Sequence, residues 1–312
     1  MTPRLATIAV TLAAVAFACS SSDSSDPPPA PDPPAVDDTD ASVPAPPPPP
    51  PPKPKDAGVD APHVPQPYPT VDSRGGTVIK VPHILPITFA SDPFAPNIED
   101  FFTKLAASSY WATVTSEYGM GPLELTMPIR VDETPASLDD TQVQTWLQGK
   151  FATDARFSLP FVDTLYAIFY PQGASVTLKG ETSCASFGGY HSETVVGSVS
   201  VAYSVVPHCG GGFGQYDLDL VTSAASHEAV EWATDPFPFS KPAYARMDDD
   251  HWIWTQVLLG EMADMCFTGG NDIYARPTDL GGYLVQRTWS DAQSTAGHDP
   301  CVPHIAGSEP FF

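Results

Sequence analysis

The segment "SAASHEAVEWATDP", Ser223 to Pro236, gathers His227, Glu228 and Glu231 in a chain that has only 8 histidines. On a helix, His227 and Glu231 are four positions apart and share a face, one turn from each other. Glu228 is turned about 100 degrees from His227 and looks along a neighbouring edge. This is the geometry of H-E-x-x-H zinc helices, in which the two outer residues hold metal and the first glutamate activates a water. Glu231 stands where the second histidine would be. A carboxylate oxygen ligates zinc at about 2.0–2.2 Å, so the exchange is chemically allowed. It also makes the site harder and more anionic, which opens it to other divalent ions. The surrounding residues in "AASHEAVEWA" are small or apolar, so the helix is expected to be buried, where unpaired carboxylates are costly.

A metal needs a third protein ligand. "LLGEMADMC" (258–266) puts Glu261 and Asp264 three apart, on one face if the stretch is helical. In the thermolysin-like class a second helix offers a glutamate ligand, and an acidic neighbour steadies the first histidine. By that analogy Glu261 ligates and Asp264 holds the free ring nitrogen of His227, or the two exchange roles. His191 in "GGYHSE" competes as a ligand, because a neutral imidazole would temper a site built mostly from carboxylates. His191 or Tyr190 could also assist an oxyanion.

These groups need a scaffold, and the patterning supplies one of mixed helices and strands. "TVIKVPHILPITFA" (77–90), "PLELTMPIRV", "TLYAIFYP" (164–171) and "TVVGSVSVAYSVVP" (194–207) read as strands, the last the clearest of them. Residues 97–119 space apolar side chains at three and four and predict one or two helices ended by Gly119. "SLDDTQVQTWLQGKF" predicts a helix capped by Ser137. The helix carrying His227 starts near Asp217 or Asp219 and ends at Asp235, because the residue before Pro236 is pushed out of the α region.

The rest of the chain sets the compartment. Arg4, an apolar run from Leu5 to Ala18 and Cys19 have the layout of a secretory signal, with a run too short to span a membrane. "AFAC" followed by a Ser/Asp tract looks like a bacterial lipoprotein signal, with residues 1–19 ending at an acylated Cys19. Ala16 stands where such signals more often carry Leu, and simple secretion with a different cut is the alternative. Residues 20–75 hold about half of the 37 prolines and predict an extended, disordered tether, with a docking site for a proline-binding partner as the other reading. One α+β domain is expected over 76–312. The net charge of −23, from 14 Lys+Arg against 37 Asp+Glu, argues against nucleic acid or anionic lipid as partners of that domain. Cys184, Cys209, Cys266 and Cys301 make an even set, as in exported disulfide proteins, and proximity favours 184–209 and 266–301. "DDDHWIWTQ" (248–256) is either a sugar-binding aromatic run or a loop packed on the domain. "MDDDH" lacks the spacing and glycine of a calcium loop.

"SHEAVEWATDP", "EMADMC" and "YLVQRTWS", in that order, resemble the plant EXORDIUM (phosphate-induced) family and its bacterial secreted relatives; "YHS" at 190–192 and "YWATVTSEYG" also fit. The resemblance spans most of residues 77–290. It implies an exported, zincin-like domain with His227, Glu231 and the 261–264 acids at a metal site, zinc before other divalent ions. Two functions follow as expectations. One is an envelope-anchored monomeric metallohydrolase, most readily a peptidase, with Glu228 as general base, a peptide or cell-wall substrate, and attachment through its lipid at the outer membrane or cell surface. The other is a non-catalytic surface protein that keeps metal as a staple and binds wall polysaccharide. A buried His227 without metal is the blandest reading.

Overall fold

The computed structural model describes residues 68–133, 136–157, 160–210, 217–247, 251, 260–266 and 273–306. The signal with Cys19, nearly all of the tether and, His251 apart, the acidic and aromatic run at 248–256 lie outside the described residues.

Two apolar runs, "HILPITF" and "TLYAIFY", have the near-continuous hydrophobicity of strands covered on both faces. They form β1 (His83–Phe89) and β4 (Thr164–Tyr170), paired in parallel at the centre of a six-stranded sheet. Outside β1 run two short parallel strands, β2 (Glu124–Leu125) and β3 (Ile129–Val131). On the other side β6 (Val199–Pro207) is parallel to β4, and β5 (Tyr190–Val196) closes the sheet antiparallel to β6. Pro86, which has no N–H to give, falls between the stretch of β1 paired with β2 and the stretch paired with β3.

Alternate side chains of β4 feed two cores. Leu165, Ala167 and Phe169 join α1 (Ala95–Ala107), α2 (Ser109–Thr115) and α4 (Asp217–Thr234) on one face. Tyr166, Ile168 and Tyr170 meet Val143 and Leu147 of α3 (Asp140–Thr153) on the other. The domain is therefore a mixed helix-and-strand fold, as expected, with helices on both faces of a largely parallel sheet. Both expected disulfides form, Cys184–Cys209 and Cys266–Cys301, and they suit a chain that folds in an oxidising, exported setting. No helix among the described residues is long and apolar enough to cross a membrane.

Four expectations change. The domain starts before residue 76: Val71–Ser73 pairs with Tyr244–Met247, Val71 is buried in the main core, and Pro69 O accepts from Trp289 Nε1 and Ser294 Oγ. The cap of α3 is Asp139 rather than Ser137, because Asp139 Oδ1 accepts from Gln142 N while Gln142 Oε1 accepts from Asp139 N. The apolar run at 194–207 is a hairpin: Gly197, at φ 65, opens a two-residue loop that pairs Val196 with Val199. The run at 122–131 is two short strands and not one. Gly119, by contrast, ends its helical stretch in the left-handed region at φ 86, as expected.

Candidate metal centre

Helix α4 is buried almost all round. Ala225, Ala229, Val230, Trp232 and Ala233 enter the main core, and the helix stops at Thr234 ahead of Asp235-Pro236. Glu228 and Glu231 on this helix are only 4% and 3% exposed. Two carboxylates so deep need compensation.

Two further elements supply it. Edge strand β5 carries His191, whose Nδ1 lies 3.6 Å from Glu228 Oε2 and 3.7 Å from Glu231 Oε2. The segment Glu261–Cys266 comes back over α4 as a turn and a single 3-10 turn at Asp264–Cys266, not as the helix the thermolysin analogy called for. It is fastened on both sides. Trp289 N donates to Met262 O at 2.9 Å, Gln286 Nε2 donates to Ala263 O at 2.7 Å, and Cys266 is bonded to Cys301. Asp264 N in turn donates to Glu231 Oε1 at 3.1 Å, so the segment also orients the helix carboxylate.

The acids divide between the two histidines. His227 Nε2 faces Glu231 Oε2 at 3.0 Å and Asp264 Oδ1 at 3.6 Å. His191 Nδ1 faces Glu261 Oε2 at 3.9 Å in addition to the α4 glutamates. The sequence analogy gave Glu261 to His227 as co-ligand and Asp264 to its other ring nitrogen. Neither that assignment nor its exchange describes the structure in full: Asp264 shares the Nε2 side with Glu231, and Glu261 turns towards His191 rather than to either nitrogen of His227. A non-helical backbone at 261–263 removes the common face that the i, i+3 spacing implied. The free Nδ1 of His227 meets Gln286 Oε1 at 3.0 Å instead.

Both imidazoles are thereby held in one useful state. Gln286 spends its amide N–H on Ala263 O, so its carbonyl oxygen is what faces His227 and takes the Nδ1–H. His191 Nε2 lies 3.2 Å from the backbone carbonyl of Asp235, which can only accept. In their neutral forms the two rings therefore aim bare lone pairs, from Nε2 of His227 and Nδ1 of His191, at carboxylate oxygens. Lone pair against lone pair is repulsive unless a proton or a metal ion sits between, and N/O donors with a carbonyl behind the imidazole fit a divalent ion.

The electrostatics agree. Burial alone would lower the His191 imidazole, but Glu261, Glu228 and Glu231 outweigh it and hold it at about 10. His227 is likewise raised well above its ordinary value against the effect of burial, by Glu231, Glu228 and Asp264. Burial pushes Glu261 up to about 8, with Glu231 adding to the rise, and lifts Asp264 to about 6 against the pull of His227. Without a metal, the cluster holds protons where a metal would go.

Two site residues escaped the sequence reading. Gln286 is a buried amide within "YLVQRTW", 3% exposed, and the one signal for it was a polar residue inside an apolar run. Replacing Gln286 with Leu should weaken zinc binding about 10- to 100-fold, measured by competition with a chromophoric chelator, because it frees the His227 ring to turn. The second is Gly189. A Cβ there would lie 2.7 Å from Glu228 Oε1, so a side chain just before β5 would displace that carboxylate. Gly189→Ala should move Glu228 without moving the histidines. We expect metal content to hold and turnover to fall by about 10²-fold, the cost of an ångström-scale misplacement. Tyr190, the other residue expected to assist an oxyanion, spends its hydroxyl elsewhere. Strand alternation turns it to the opposite face, where its hydroxyl donates to Asp140 Oδ1 at 2.7 Å.

A cleft runs across the cluster in two arms that share Gly189, His227, Glu228 and Asp264. One arm, of about 380 Å³, continues past His191 to Arg74, Lys179 and Phe239. The other, of about 440 Å³, is lined by Phe187, Leu220, Ala224 and Tyr274. Lys179 reaches this rim from the left-handed region (φ 52) and lies 5.5 Å above the Phe239 ring. No protein-family model, curated protein or solved structure matches this chain.

Proposed function

We propose that this domain is an exported, metal-dependent hydrolase of amide bonds, a peptidase, with His227, Glu231 and Asp264 holding a divalent ion, zinc in the first instance. The observation that carries the reading is the pair of imidazoles whose N–H groups are spent on carbonyls, so that their lone pairs converge on buried carboxylates beside an open cleft. When bound, such an ion supplies Lewis acidity, making water a better nucleophile and a carbonyl a better electrophile. Glu228 lies where the two arms of the cleft meet. Its carboxylate takes the proton from the attacking water as the C–O bond forms and returns it to the amide nitrogen as the C–N bond breaks. Arg74 and Lys179 suit a carboxylate on their side of the substrate, and Phe187, Leu220 and Ala224 suit an apolar group on the other.

The EXORDIUM-like reading draws support from where its segments go. "SHEAVEWATDP" forms the C-terminal half of α4 and the stop after it, "EMADMC" is the fastened acidic segment, "YLVQRTWS" carries Gln286 and "YHS" carries His191. Attachment to the envelope through Cys19 is part of the same proposal, resting on the N-terminal signal. A purely structural metal favours a closed site, whereas two arms of the cleft open onto this one, which favours catalysis over a staple. The test is elemental analysis of the purified chain together with a casein or peptide-library digest. Metal present with peptide cleavage that a chelator stops supports the reading, and metal present with no cleavage of any library member overturns it.

A further inference from the structure

The two histidines do not compete for one ion: we infer that the site is dinuclear, with a second divalent ion held by His191, Glu261 and the shared carboxylate of Glu231. This rests on the reading of His227, Glu231 and Asp264 as a metal site, and adds a neighbour to it.

Geometry comes first. Five side chains form two triads that share Glu231, His227–Glu231–Asp264 and His191–Glu231–Glu261, each with ligand atoms within 4.8 Å of one another. Two ligand atoms on one ion, each about 2.1 Å from it, lie no more than about 4.2 Å apart. His227 meets that limit with Glu231 at 3.0 Å and Asp264 at 3.6 Å. His191 meets it with Glu231 at 3.7 Å and Glu261 at 3.9 Å. Glu231 Oε2 therefore stands between the rings, in the position of a bridging carboxylate, while its Oε1 is fixed by Asp264 N. Bridged pairs of this kind set two ions about 3.5–4 Å apart in hydrolytic sites.

The charge count points the same way. With both imidazoles neutral, Glu228, Glu231, Glu261 and Asp264 bring four negative charges into a pocket where no side chain of the cluster is more than 22% exposed. One divalent ion leaves two of those charges uncompensated, and two ions bring the cluster to neutrality. The ligands are imidazole nitrogen and carboxylate oxygen, which suits zinc, manganese or cobalt in either position. His191 also has its own backing: Asp235 O fixes its ring as Gln286 fixes that of His227.

The full chain, stripped by chelator dialysis and titrated with zinc chloride, should take up two ions, counted by equilibrium dialysis with elemental analysis. His191→Ala should lower the count from two to one, and His227→Ala should remove the other ion. Saturation of the unmodified chain at one ion overturns the inference while leaving the mononuclear site standing; saturation at zero overturns both. Two ions retained in His191→Ala also overturns it. A measurement that needs no variant is electron paramagnetic resonance of the unmodified chain loaded with manganese(II). A spin-coupled pair signal is expected at saturation, and the six-line spectrum of isolated ions alone is the contrary result.

Discussion

Glu228→Gln is expected to leave the metal content of the chain unchanged and to lower peptide hydrolysis by about 10²–10⁴-fold, the usual contribution of a general base. The two outcomes separate because Glu228 belongs to neither ligand triad, yet its carboxylate borders both arms of the cleft. Glutamine keeps the shape and the packing of a side chain that is 4% exposed, and loses only the ability to accept a proton. Steady-state kinetics on the best substrate from the library, paired with elemental analysis of the same preparation, give the answer. Undiminished turnover assigns the base elsewhere. Loss of metal along with turnover makes Glu228 a ligand and ends its role as a base.

Stripping the metal should destabilise the domain by an amount that grows with pH. In the metal-free fold His191 is raised from 6.5 to about 10, Glu261 from 4.5 to about 8 and Asp264 from 3.8 to about 6. His227 and Glu231, packed against them, are raised as well. Each group binds its proton more tightly folded than unfolded. The stability this gives is complete below the unfolded values and drains away as pH rises through the folded ones. Metal takes the place of those protons, so it matters least near pH 5 and most above pH 8. At an ion concentration of a hundred times Kd the gain is about 2.7 kcal/mol, which for a domain of this size is a rise in Tm of roughly 5–10 °C. Scanning calorimetry at pH 5.5, 7 and 8.5, with zinc and with chelator, should show the two melting curves moving apart as pH rises. Curves that coincide at all three pH values would mean that the cluster carries no ion.

Much of the centre was legible because it rests on local periodicity. His227 and Glu231 meet because α4 repeats every 3.6 residues, and Pro236 fixes where it ends. The disulfide partners followed from proximity along the chain. What failed was whatever depends on partners distant in sequence. The i, i+3 spacing of Glu261 and Asp264 carries meaning only inside a helix, and the backbone there is a turn. Gln286 reaches His227 across 59 positions, and the demand for glycine at 189 comes from a carboxylate on another element. The hairpin in 190–207 was read through because valine flanks Gly197-Ser198 on both sides, so hydrophobicity hides a turn that only a positive φ reveals.

The bond between Cys266 and Cys301 has a meaning beyond rigidity. It clasps the far end of the short segment that delivers Glu261 and Asp264 to a helix more than 30 positions earlier in the chain. While those thiols are reduced, nothing covalent keeps the two acids near their histidines, and the entropy of an open loop works against their meeting. On the proposed reading, a reductant that opens this bond would therefore loosen the acidic side of the cluster while leaving His227 and Glu231 together on their helix.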